Sequence, residues 1–282
     1  MRILVTGATG FIGNHVIYEL LKTDHEIIAS SRNKSRAEKF SWYSEVHYLP
    51  WSIGEKSDQN LFDYFLKPDL CIHLAWDGLG NFKDELHETT YFENHLSFLR
   101  TLIQEGTPKV TTTGTCLEYG LVEGELNEEM ATSPTLPYAI GKNKLRIELE
   151  KLQEAYSFEL DWIRLFYMYG KGQNPKSILA LLETHIEQGH SVFNMSGGEQ
   201  GRDYLPVKKI AKIITNLALI ETGCGVVNCC SGKPIKIVEL VNDFITQKNA
   251  RIELNLGYYS YPDYEPFEFW GNRDKLERLL KK

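Results

Sequence analysis

Tyr138 and Lys142 lie four positions apart in Pro137-Tyr138-Ala139-Ile140-Gly141-Lys142, a stretch that reads as the opening of a helix with proline in its first turn. At i and i+4 the phenol and the ammonium share one helix face. A cation beside a tyrosine favours the phenolate and brings a pKa of about 10 down towards the working range. The pair can therefore give a proton to a carbonyl oxygen or take one from an alcohol. Taken alone it is more readily a solvated pair on a helix surface, so its neighbours in sequence matter. Upstream, Thr111-Thr112-Thr113-Gly114-Thr115 closes a β-branched run that reads as a strand. Thr115 then stands at the carboxyl end of that strand, where its hydroxyl can bond the same substrate oxygen that Tyr138 protonates. The bland reading is a threonine that satisfies its own backbone.

The start of the chain reads as a seat for a dinucleotide. Met1-Arg2-Ile3-Leu4-Val5 runs into Thr6-Gly7-Ala8-Thr9-Gly10-Phe11-Ile12-Gly13, with glycines spaced G-x-x-G-x-x-G, and then into an apolar helical stretch. Gly7 serves the sharp turn, Gly10 lets backbone approach a pyrophosphate, and Gly13 lets the helix pack on its strand. The helix N-terminus offers free N–H groups and partial positive charge to the phosphates. Thr9, Phe11 and Ile12 belong to the same turn. At the end of the second strand stands Ser30-Ser31-Arg32-Asn33-Lys34-Ser35-Arg36, without the acidic residue that would accept the adenosine ribose hydroxyl of NAD. Ser31 and Arg32 suit a 2′-phosphate instead, so NADP(H) is favoured, with NAD(H) the alternative; a merely solvated polar loop is the plain reading.

The elements that position these residues follow a βαβ rhythm. Strands are expected at 3–5, 26–30, 46–49, 70–75, 110–113 and 160–166, and helices at 13–22, 59–66, 85–104 and 138–156. Later helices at 177–188, 207–221 and 237–247, and short strands at 192–193, 226–228 and 252–254, are too scattered for a second such unit. The expected fold class is α/β: a doubly wound parallel Rossmann sheet over residues 1–166, with a smaller substrate-binding lobe over 167–282, packed as one compact unit. That lobe should cover the carboxyl edge of the sheet, where open α/β folds bind ligands.

Composition sets the limits. A chain of 282 residues can bury about three quarters of its unfolded surface. The net charge of −7 speaks against nucleic-acid or anionic-membrane partners, which need a clustered basic face. Any anionic substrate must then meet local arginines. The five cysteines form no C-x-x-C pair, so neither a metal site nor a disulfide framework is expected, and a reducing, cytoplasmic setting is the simplest reading. No apolar run approaches a membrane span, and a first strand beginning at Arg2 leaves no leader in the sequence as read.

Six segments, in order, make the chain resemble the extended short-chain dehydrogenase/reductases, the group of nucleotide-sugar epimerases, dehydratases and reductases. They are the glycine turn at 6–13, His73-Leu74-Ala75-Trp76, Thr115 four residues before Tyr119-Gly120, Tyr138 with Lys142, Arg164-Leu165-Phe166-Tyr167-Met168-Tyr169-Gly170, and Arg202-Asp203-Tyr204-Leu205-Pro206-Val207. The resemblance implies that a nicotinamide carries the hydride while Tyr138 moves the proton and Thr115 polarises the carbonyl. Lys142 tunes the tyrosine and holds the nicotinamide ribose, and Asn94 supports a proton relay. Ser52, Ile53, Leu74, Ala75, Trp76 and Thr113 fall among the implied cofactor contacts. Arg202 is implied as the clamp for a substrate pyrophosphate, against a simpler role pairing with Asp203 or Glu199. Tyr167 stands where the family usually has a substrate-touching asparagine, and Asp77 belongs to the implied substrate wall.

Within that family, dehydratases resembling this chain carry Asp-Glu directly after the catalytic threonine, where this chain has Cys116-Leu117. Elimination of water lacks its acid and base. The epimerase-reductases place a cysteine where Leu117 stands, which leaves Cys116 as a small buried residue. The chain most resembles the nucleotide-4-keto-6-deoxyhexose 4-reductases, which make dTDP-6-deoxy-L-talose, dTDP-fucose or CDP-abequose for surface polysaccharide. The implied partner is a nucleotide-diphosphate sugar, with a homodimer through the two long helices by analogy. The competing readings are a 4-epimerase with tightly bound NAD and a non-catalytic dinucleotide sensor.

Overall fold

In the computed structural model, residues 1–55 and 58–281 are described; residue 282, the last of the expected lobe, lies outside them. The principal strands are β1 (Arg2–Thr6), β2 (Glu26–Ser30), β3 (His47–Tyr48), β4 (Leu70–His73), β5 (Lys109–Thr115), β7 (Glu159–Leu165) and β12 (Gly225–Cys229). They form one seven-stranded parallel sheet in the order β12-β7-β5-β4-β1-β2-β3. Side chains alternate across it: Ile3 and Val5 enter one core, Leu4 the other. The first core is closed by α1 (Phe11–Leu20), α7 (Val207–Ala218) and α9 (Asp274–Leu280), the second by α3 (Leu61–Tyr64), α4 (Thr90–Glu105) and α5 (Pro137–Ala155). A short α2 (Lys34–Ala37), capped by Asn33, follows β2. Both faces of the sheet are thus covered by helices, which is why its strands are apolar on both sides.

The remaining elements gather beyond the carboxyl edge. A small mixed sheet joins β6 (Gly124–Leu126), β10 (Gly201–Arg202), β13 (Ile235–Lys236) and β15 (Glu268–Gly271). Two strand pairs, β8 (Tyr167–Tyr169) with β11 (Tyr204–Pro206) and β9 (Val192–Asn194) with β14 (Glu253–Asn255), complete the lobe. Its own small core packs α6 (Ile178–Glu187) against α8 (Ile237–Gln247) through Leu179, Leu182, Leu240 and Val241. From β1 the chain steps to β2 on one side and later to β4 on the other, so strand order reverses at β1. A ligand crevice opens there, outside the carboxyl ends of β1 and β4.

Three local readings change. The strand expected at 226–228 is present, but it extends the main sheet beside β7 rather than joining the lobe: Val227 and Cys229 are fully buried in the first core and Asn228, facing the other way between them, is fully buried too. The helix expected at 85–104 is broken: Glu85–His87 is a single 3₁₀ turn capped by Asp84, and Thr89, at φ −122° and ψ −97°, separates it from α4. The helix expected at 59–66 shortens to Leu61–Tyr64, because Leu66 and Lys67 turn to positive φ ahead of Pro68.

Candidate active site

A cavity of about 1070 Å³ fills the crevice. Gly7, Thr9, Gly10, Phe11, Ile12 and Gly13 form its floor, Ser31, Arg32, Ile53, Leu74, Ala75, Trp76 and Asp77 one wall, and Thr113, Thr115, Tyr138, Lys142 and Tyr167 the other. Gly7 has φ +67°, and a Cβ there would lie 2.7 Å from the Ala75 nitrogen, so only glycine lets β1 turn against the end of β4. α1 starts at Phe11 with no side-chain cap and no acidic residue in its first turn. Its leading N–H groups and partial positive charge therefore face the cavity uncancelled, which fits the pyrophosphate of a dinucleotide.

Thr115 and Tyr138 both line the cavity. The Thr115 hydroxyl accepts the Leu117 N–H at 3.3 Å, which leaves its own proton free to donate into the cavity. Tyr138 is fixed by its backbone N–H on the Phe82 carbonyl, 3.1 Å, and by ring contacts with Phe82 and His87. Lys142 is 2% exposed; its Nζ donates to the Thr113 carbonyl at 2.9 Å and sits 4.1 Å over the Trp76 ring. Burial pulls the ammonium down to about 7, with the Glu118 charge opposing that shift. Burial, with the charge of Glu118, pushes the Tyr138 phenol up. The phenolate expected from the sequence is therefore not favoured in this form: desolvation outweighs a cation that burial has itself weakened. At neutral pH Tyr138 keeps its proton and is poised as an acid.

Sequence reasoning missed the group that holds Thr115. Glu118 is fully buried beneath it; one carboxylate oxygen accepts the Thr115 N–H at 2.8 Å and the other accepts Arg164 Nε–H at 2.8 Å. Trp162 Nε1–H reaches both oxygens at 3.1 and 3.2 Å, and the Arg164 guanidinium lies 4.5 Å over the Tyr119 ring. Gly114 admits this network, since any Cβ there would collide with the carboxylate and the indole nitrogen. The signal was present in sequence as T-x-x-E, the spacing of a capping box, and both of its hydrogen bonds form.

Three expected site residues do not line the cavity. Ser52 closes a turn through its carbonyl to the Glu55 N–H, while its neighbours Trp51 and Ile53 face the ligand space. Asn94 packs its carboxamide against Gly54; the next residue on the helix, His95, points inward instead. Arg202 is 1% exposed and committed: Nη1 donates to the carbonyls of Gly201 and Phe267 at 2.8 Å, and Nη2 and Nε donate to Glu265 at 3.0 and 3.3 Å. In place of a waiting phosphate clamp there is an internal ion pair, and the Glu265 carboxylate is what reaches the cavity wall. Ser31 and Arg32 are likewise engaged, Ser31 with the Tyr48 hydroxyl at 2.9 Å and Arg32 with Asp77 at 2.8 Å. Asp77, expected on the substrate wall, thus faces the end of β2.

A profile of the NAD dependent epimerase/dehydratase family matches residues 3–228. The chain belongs to this family. Among curated relatives, the dTDP-6-deoxy-L-talose 4-dehydrogenase (NAD(+)) of Aggregatibacter actinomycetemcomitans is 28% identical over 272 residues, covering 96% of this chain and 99% of its own. A UDP-glucose 4-epimerase of Halalkalibacterium halodurans is 29% identical over 203 residues, covering 68% and 57%. Among solved structures, a UDP-N-acetylglucosamine 4-epimerase from Methanobrevibacter ruminantium M1 superposes with a TM-score of 0.86 at 22% identity over 99% of this chain and 91% of its own. MoeE5, in complex with UDP-glucose and NAD, gives a TM-score of 0.84 at 21% identity over 100% and 92%. At these identities the structural likeness establishes the Rossmann architecture of this epimerase/dehydratase member. Among the described residues no helix is long and apolar enough to cross a membrane, and no His/Cys/Asp/Glu group is placed to hold a metal.

Proposed function

We propose that this epimerase/dehydratase member reduces the 4-keto group of a nucleotide-linked 6-deoxyhexose, as its dTDP or CDP derivative. The observation that carries the reading is that two proton donors line one dinucleotide cavity, the Tyr138 phenol held protonated by burial and the Thr115 hydroxyl whose oxygen already accepts the Leu117 N–H. That is the arrangement a ketone needs as its oxygen becomes an alkoxide. A bound nicotinamide supplies the hydride. Tyr138 gives the proton, Thr115 stabilises the developing charge, and Lys142, anchored on Thr113, replenishes the proton and orients the nicotinamide ribose. No carboxylate stands in the two positions directly after Thr115 to drive dehydration: Cys116 is 4% exposed, and burial raises its thiol. The relative matched end to end is itself a dTDP-sugar 4-dehydrogenase by name.

In this reading residues 1–166 bind the dinucleotide and 167–282 the sugar nucleotide, although β12, α7 and α9 of the latter stretch are built into the Rossmann layers. The turn after β2, free of acidic residues, favours NADP(H); the prior engagement of Arg32 favours NAD(H). The test is incubation with reduced cofactor and dTDP-4-keto-6-deoxyglucose or its L-series epimer, with the product assigned by NMR. A 6-deoxyhexose formed with stoichiometric cofactor oxidation supports the proposal. Purification with tightly bound NAD⁺ and interconversion of 4-epimers without external reductant would replace it with the epimerase reading.

A further inference from the structure

Beneath the cavity wall a chain of buried polar groups runs from the glycine turn to Asp77. The Thr6 hydroxyl lies 2.9 Å from His73 Nδ1, His73 Nε2 lies 2.9 Å from His95 Nδ1, and His95 Nε2 stands 3.7 Å from Asp77 Oδ2. Thr6 is 3% exposed and both histidines are fully buried. One set of proton positions satisfies both hydrogen bonds with neutral rings: Thr6 O–H donates to His73, His73 Nε2–H donates to His95, and the remaining His95 N–H faces the carboxylate beyond hydrogen-bond distance. The reverse set would point a ring lone pair at Asp77. Burial drives both imidazoles to the neutral form, and the neighbouring His95 and Arg32 together hold the Asp77 carboxyl below its usual range. The other oxygen of Asp77 binds Arg32 Nη1 at 2.8 Å. Arg32 rises from the end of β2 and Asp77 from the loop after β4, with β1 and its glycine turn between them, so the pair spans the ligand crevice.

We propose that Asp77 sets cofactor choice, neutralising from the β4 side the guanidinium at the end of β2. Its charge cancels Arg32, the guanidinium that a 2′-phosphate would need, and sets an anion near that phosphate. NAD(H) carries no such phosphate and is unaffected. The Arg32 side chain is 69% exposed, so the ion pair itself adds little stability and its effect is on selectivity. The inference rests on the dinucleotide reading of the cavity and not on the sugar.

Equilibrium titration with NAD⁺ and NADP⁺, followed by quenching of Trp51 and Trp76 on the cavity wall, tests it without turnover. The wild type should bind NAD⁺ about tenfold more tightly than NADP⁺. Asp77→Asn should tighten NADP⁺ about tenfold while moving NAD⁺ less than about threefold, and Arg32→Ala in that background should abolish the gain. Asp77→Ser should act like Asp77→Asn and keeps the test intact if Asp77→Asn folds poorly, whereas Arg32→Ala alone bares the Asp77 charge and should weaken NADP⁺ with NAD⁺ little changed. An unchanged NADP⁺/NAD⁺ ratio in the Asp77 variants, a wild type preferring NADP⁺, or tighter NADP⁺ binding in Arg32→Ala alone overturns the proposal. Sound cofactor selectivity with no reaction on any keto sugar would remove the proposed substrate and leave this inference standing.

Discussion

Replacing Glu118 by glutamine should damage both the fold and the chemistry, in amounts that follow from its contacts. The carboxylate is fully buried and neutralises an Arg164 guanidinium that is 2% exposed. Removing one partner of such a pair leaves an uncompensated buried charge and costs about 3–5 kcal/mol. Arg164 Nη1 is buried without a hydrogen-bond partner, and the Tyr119 ring below the guanidinium offers no carboxylate in place of Glu118. At about 2.1 cal/mol/K of unfolding entropy per residue, a chain of this length should melt about 5–8 °C lower. The same change weakens the hold on the Thr115 N–H, and a lost charge-assisted hydrogen bond of about 1.5 kcal/mol on that strand end lowers kcat about tenfold. Differential scanning calorimetry of Glu118→Gln, Arg164→Gln and the double variant reads the first effect and steady-state kinetics the second. The double variant should be less destabilised than the sum of the two singles by about 2–3 kcal/mol. Additive losses, or a Glu118→Gln protein that melts and turns over like the wild type, would refute the reasoning.

Other consequences can be checked separately. Since Lys142 is held near 7 against an ordinary value of about 10.5, the unfolded chain binds more protons between those values; the melting temperature of the wild type relative to Lys142→Met should therefore rise from pH 7 to 9.5 and be flat below pH 6. Glu265→Gln releases Arg202 for a substrate phosphate, and should lower KM for the nucleotide sugar about three- to tenfold with the cofactor KM unchanged; a raised KM would show that Glu265 itself binds substrate. Gly114→Ala should destabilise by about 3 kcal/mol or more, seen in urea unfolding, because its methyl group displaces both Glu118 and Trp162.

Much of this was legible in the sequence where local rules govern. The glycine turn, the strand ends carrying Thr115, and the proline-led helix carrying Tyr138 and Lys142 depend on residue type and spacing, and the structure brings them to one cavity. What escaped was set by tertiary burial. Burial pulls the Lys142 ammonium down to about 7, so the strength of its influence on Tyr138 could not be read from an i, i+4 spacing. Arg202 and Glu265 are 63 residues apart, and only the fold reveals that the arginine is already paired. Asn94 and His95 show the same limit at one-residue resolution: helix periodicity locates the face within about 100° per residue, and the inward residue proved to be the histidine.

The central claim, that Tyr138 delivers the proton to a keto oxygen, is tested most directly by Tyr138→Phe in a single-turnover reaction with reduced cofactor and dTDP-4-keto-6-deoxyhexose. The account predicts cofactor affinity within about threefold of the wild type and a reduction rate at least about 10²-fold lower. Reduction at the wild-type rate by the phenylalanine variant would contradict it.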